Sequence, residues 1–100
     1  MMKTKPFDAA KYLESAEDFA DLVNDALATG HPGYISAALG TVARAYGMSK
    51  LAQETGLNRA TLYAALKEGG NPTLDTVVKV TSAFGVTLGA TPQNKVLAEA

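Results

Sequence analysis

The stretch Met48–Lys67, MSKLAQETGLNRATLYAALK, narrows the possible folds more than any other part of the chain. Leu51, Ala52 and Thr55 fall on one side of a first helical pattern, and Leu62, Ala65 and Leu66 on one side of a second. Gly56 and Leu57 separate the two, and Asn58 follows as a natural N-cap. Gly56 tolerates the positive φ that a tight turn requires. Ala52, four residues earlier, supplies the small side chain needed where two helices cross. The pattern is that of a helix-turn-helix. Its inner set is Leu51, Ala52, Leu57, Leu62 and Ala65. Asn58, Arg59, Ala60, Thr61, Tyr63, Ala64 and Lys67 are left facing outward.

The flanking sequence predicts more helices. Asp8 can cap a short helix ending near Leu13, with Phe7 as a staple residue. Ser15, paired with Asp18 in the manner of a capping box, opens a helix that Gly30 ends. Its apolar positions are Phe19, Leu22, Val23, Ala26 and Leu27. Pro32 suits a first helical turn, and the next helix runs to Tyr46 with Ile35, Leu39, Val42 and Tyr46 as its stripe. Gly40 inside that helix costs up to about 1 kcal/mol against alanine, which a close helix crossing would explain. After the Gly69–Pro72 turn, Thr73 caps a helix to Phe84, with Leu74, Val77, Val78 and Thr81 expected inside. Gly85 stops it, and Val86–Leu88 alternate briefly, as a short strand would. The expected fold is a compact all-α domain of five to six helices, lambda-repressor/Cro-like, with room for one short C-terminal strand. It occupies residues 7–91, between a flexible tail over 1–6 and a C-terminal tail over 92–100.

One hundred residues suffice for one modest core. No apolar run approaches the ~18 residues of a membrane span. The first residues show no apolar stretch after their lysines, so no secretory leader is expected. Absence of cysteine excludes a disulfide framework and thiolate zinc, and fits a cytoplasmic location. No catalytic constellation, phosphate-binding glycine loop or metal-ligand cluster is present, so no enzyme activity, cofactor or metal is expected. His31, the sole histidine, reads as a capping or surface residue beside Pro32.

The outward set suits a DNA groove. Arg59 can pair with guanine O6 and N7. Thr61 and Tyr63 can donate to phosphates or touch a thymine methyl, and Lys67 suits a phosphate. Asn58 is a weaker candidate, since capping engages it. Lys50 and Gln53 on the first motif helix can hold the backbone. The net charge of −1 argues the other way, since such domains are often basic. Its distribution is uneven: residues 1–46 carry four cations against six carboxylates, and residues 47–100 five against four.

GMSKLAQETGLNRATLYAAL followed by GGNPTLDTVVKVTSAFGV resembles the XRE/Cro-like DNA-binding domain. With the KPFDAAKYLES entry and the AALGTVARAYGMSKLA block, residues 5 to 90 resemble the HigA-like addiction-module antidotes. That resemblance implies an antitoxin that neutralises a RelE/ParE-like toxin and represses its own operon by binding operator DNA. It also directs attention to Glu14, Glu17, Asp18, Asp21 and Asp25, which share an arc of roughly 100°. A basic toxin could dock there, or the arc could be a solvated face whose early carboxylates favour the helix N-terminus. A homodimer is expected on DNA, joined through the last helix and Val86–Leu88. The alternatives are a stand-alone XRE-type repressor and a helical interaction module without DNA binding.

Overall fold

Capping side chains set most of the helix starts. The architecture is taken from a computed structural model that describes residues 9–93. Within them, a 3-10 turn over Ala9–Tyr12 precedes α1 (Ala16–Thr29), α2 (Pro32–Tyr46), α3 (Met48–Thr55), α4 (Arg59–Ala65) and α5 (Leu74–Phe84). The Ser15 hydroxyl accepts from the Asp18 N–H at 3.1 Å. The Asp18 carboxylate reaches back to accept from the Glu14 N–H at 2.9 Å. This is a capping box displaced by one residue, its carboxylate taking the N–H before the N-cap. His31 Nδ1 accepts from the Tyr34 N–H and so caps α2, with Pro32 next to it. Asn58 and Thr73 cap α4 and α5.

All described secondary structure is helical, and two expectations need correcting. The short helix expected to end near Leu13 is present as a 3-10 helix over Ala9–Tyr12. The short segment closes with an i→i+3 bond from the Leu13 N–H to the Ala10 carbonyl. The expected cap Asp8, the staple Phe7 and the tail over 1–6 lie outside the described residues, as do 94–100. Val86–Leu88 forms no strand. The Val86 N–H donates to Thr81 O and the Gly85 N–H to Ser82 O, the Schellman closure of α5. Val86 and Leu88 then pack against the core as half-buried residues. α4 ends at Ala65, because Leu66 leaves the helical region (φ −105°, ψ 39°), so Lys67 lies in the following turn.

The core comprises Phe19 and Val23 of α1, Leu39, Val42 and Ala43 of α2, Leu51 of α3, Leu62 and Leu66 around α4, and Val80 and Phe84 of α5. Phe19, Tyr46 and Phe84 form an aromatic cluster, with centroids 5.6 to 6.4 Å apart in tilted and edge-on arrangements. On α5 the expected inner face holds in part: Thr81 is buried and Val77 packs half-buried against the core, but Leu74 and Val78 face outward. Leu74 is 75% exposed and Val78 47%, while Thr76, Val80, Thr81 and Phe84 are buried. The helix carries more than one apolar row, and periodicity alone does not choose between them. The buried Thr81 hydroxyl donates to its own helix, to Val77 O at 2.8 Å.

α2 supports the end of α4. A Cβ on Gly40 would stand 1.9 Å from the Leu66 carbonyl oxygen. The two backbones therefore approach as closely as they do only because residue 40 is glycine, the close crossing its position predicted. One turn earlier on α2, the buried Ser36 hydroxyl donates to Gly70 O at 2.9 Å and ties down the turn after α4.

Candidate nucleic-acid interface

The motif closes as its sequence predicts. Gly56 sits at φ +78° in the left-handed region and ends α3, its N–H donating to Ala52 O. Leu51 and Leu62 are fully buried, and Ala52, Leu57 and Ala65 are half-buried against the core. Thr55 turns its hydroxyl back on α3 at Leu51 O and accepts from the Leu57 N–H, stitching the turn.

Lys50, Gln53, Asn58, Arg59, Thr61, Tyr63 and Lys67 are all exposed. They form subsets rather than one uniform row. Asn58 Oδ1 accepts from the Thr61 N–H at 2.7 Å, so that oxygen is committed to the cap. Arg59 and Tyr63, one turn apart, are joined. The guanidinium donates to the Tyr63 hydroxyl at 3.3 Å and lies 5.7 Å from its ring centre. Such stacking contributes roughly 0.5–1 kcal/mol at an exposed site and holds both side chains in a defined pose. Lys50 is placed elsewhere: its ammonium lies 4.3 Å above the ring of Tyr46 on α2. Tyr46 in turn donates its hydroxyl to Glu54 on α3. That hydrogen bond, with burial and the nearby negative charge behind it, raises the Tyr46 pKa above its ordinary value.

A cleft of about 350 Å³ runs beside α4. One wall is a single face of α2, formed by Ala37, Thr41 and Arg44; the other carries Tyr63 and Lys67. Reading the motif by itself misses Arg44, which lies a whole helix upstream. The available signal is its spacing, since residues 37, 41 and 44 share one helical face.

Of the acidic arc, Glu14, Glu17, Asp21 and Asp25 are exposed. Asp18 is half-buried and engaged in the α1 cap, so it differs from the others.

The sequence profile of a family described as a probable addiction module antidote protein matches residues 3–92. The chain belongs to that family. The chain is also 42% identical over 82 residues to a Haemophilus influenzae protein described only as uncharacterized, covering 82% of this chain and 84% of that one. No solved structure matches it. No helix among the described residues is long and apolar enough to cross a membrane.

Proposed function

We propose that this antidote is HigA-like, with an XRE/Cro-like motif: it neutralises a RelE/ParE-like toxin and binds operator DNA to repress its own operon. The mechanism is non-enzymatic and operates in the cytoplasm. The observation that carries the DNA-binding half is the division of α4, whose Leu62 is wholly buried while Arg59, Thr61 and Tyr63 stand in solvent. In this reading α4 enters the major groove with Arg59 on a guanine edge. Thr61 and Tyr63 touch phosphates or a thymine methyl, and Lys67, Lys50 and Gln53 hold the backbone. The start of α3 suits the same use, because Gly47 offers it no side-chain cap and its first N–H groups are left for an anion.

A net charge of −1 leaves each copy few cations for phosphate neutralisation, so useful affinity requires two copies. A two-fold dimer would set the two reading helices ~34–36 Å apart. The exposed Leu74 and Val78 on α5, together with Val86 and Leu88, form the apolar surface suited to that contact. The toxin-facing half rests on family membership and on α1, where exposed Glu17, Asp21 and Asp25 present negative charge to a basic partner.

Two measurements test the two halves. The product of the neighbouring reading frame should co-purify with the antidote. A gel shift should show the promoter of the antidote's own operon retained at salt concentrations that release random duplex. Equal release of both duplexes would remove the operator-binding half and leave neutralisation standing.

A further inference from the structure

The charges of α3 run against its own dipole. Lys50 lies in the first turn, at the positive end, and Glu54 in the last, at the negative end. Both placements oppose the helix, and such conflicts of local preference with the fold gather at functional sites. The two residues stand four apart, within reach of each other, yet they form no ion pair. On α5 the same spacing gives one, with Lys79 Nζ 3.0 Å from Asp75 Oδ2. The acid-first order on α5 is the better of the two, but α3 differs in a further way. Tyr46 of α2 takes up both of its charges. The Lys50 ammonium lies 4.3 Å from the centre of the Tyr46 ring, and the Tyr46 hydroxyl donates to the Glu54 carboxylate. Phe19 and Phe84 meet that ring edge-on at 6.4 and 5.6 Å, so it is anchored in the core. Its raised pKa keeps the proton on the hydroxyl, which stays a donor. A ring face attracts an ammonium without consuming its N–H groups, so Lys50 is held in place with its donors open to solvent. The first N–H groups of α3 lie beside it without a side-chain cap.

We propose that Tyr46 is a positioning residue for DNA binding: it engages Glu54 and so keeps the Lys50 ammonium free for one backbone phosphate. The inference rests on the DNA-binding reading and extends the interface to a half-buried residue outside the motif. Tyr46 acts through Lys50 rather than by contact with the duplex. With its hydroxyl gone, Glu54 is released to pair with Lys50 and cancel the cation. The effect is uniform over sequences, because a phosphate carries no base identity.

The test compares wild type with Y46F, E54Q, Y46F/E54Q and K50Q. Y46F removes only the hydroxyl and keeps the ring that packs on Phe19 and Phe84. Proton nuclear magnetic resonance of the free protein follows the Lys50 ε-methylene, which a ring beneath it shifts upfield. That shift should shrink in Y46F, as Lys50 turns to the released Glu54, and should return in Y46F/E54Q. Binding to promoter and random duplexes is then measured over a range of salt. K50Q should weaken both and flatten the slope of log affinity against log salt by about 0.9, the contribution of one phosphate. Y46F should weaken both duplexes alike by roughly two-fold, the strength of an ion pair four residues apart on a helix. Y46F/E54Q should match E54Q alone, because without the carboxylate the hydroxyl has nothing to hold back; a merely structural hydroxyl would cost the same in either background. An unchanged Lys50 resonance in Y46F, or an equal Y46F loss on top of E54Q, overturns the role of Tyr46 and leaves the DNA-binding reading intact. An unchanged slope in K50Q removes Lys50 from the backbone and overturns it as well. A folded wild type that binds neither duplex overturns both.

Discussion

Gly40 offers a sharp test of how the reading helix is held, because two effects of known sign oppose each other there. Replacing a helix-interior glycine by alanine ordinarily stabilises by about 1 kcal/mol. Here the new Cβ would stand 1.9 Å from the Leu66 carbonyl oxygen. Relief to 3.0 Å, the least separation real Cβ atoms show, needs a movement of at least 1.1 Å. The obstacle is backbone, so no side-chain rotation provides it. Overpacking of a filled core costs about 1–3 kcal/mol, and a rigid obstacle puts Gly40→Ala toward the upper end. The net expectation is a loss of about 1–2 kcal/mol. For a domain of this size that corresponds to a fall in Tm of roughly 4–16 °C. Gly33→Ala provides the contrast, because its Cβ would meet only the His31 ring, at 3.1 Å, a side chain that can shift at some cost to the α2 cap it makes. It should be near neutral, the gain of up to about 1 kcal/mol from alanine offset by a weakened cap. Urea denaturation of the two variants measures both. A Gly40→Ala protein as stable as wild type, or more so, would refute the close-crossing argument.

Arg59→Ala should weaken promoter binding by about 1–3 kcal/mol and random-duplex binding much less; an equal loss on both would make Arg59 a phosphate contact. Asp21→Lys with Asp25→Lys should slow toxin association at low salt and leave the fold intact, since neither residue takes part in the α1 cap. An unchanged on-rate in stopped flow would remove the arc from docking. Val78→Glu should leave a folded monomer in sedimentation and weaken operator binding; a persisting dimer would move the interface off α5. Glu54→Gln should lower the raised Tyr46 pKa, as followed by ultraviolet titration. The stability that the Tyr46–Glu54 bond confers is complete below the usual tyrosine pKa of about 10 and fades as pH rises through the raised folded value.

What was legible in the sequence was whatever local chemistry decides. Ser15, Asn58 and Thr73 announce helix starts because their side chains satisfy the first N–H groups wherever the helix packs. Gly30, Gly56 and Gly85 announce stops because all three adopt positive φ. Burial of Leu51 and Leu62 followed from periodicity, since each lies on a single apolar row. Leu74 and Val78 misled for the opposite reason: α5 has apolar rows on neighbouring faces, and only the partners it meets decide which goes inside. Val86–Leu88 alternates like a strand, yet the Val86 N–H is spent on closing α5. Arg44 was hidden because it lines one cleft with Lys67 from a helix that is not adjacent in sequence to the turn carrying Lys67.

The hold of α2 on the end of α4, through Gly40 and Ser36, has a consequence for how binding preference can change. A helix of seven residues has little rigidity of its own, and the angle at which it is presented is set by its mounting. That mounting lies outside the helix-turn-helix. The motif transplanted alone would carry its reading side chains without the bracket that aims them. Conversely, under the proposed DNA-binding function, a substitution at residue 36 or 40 would tilt α4 and change which operator it fits, with every exposed side chain of α4 unaltered.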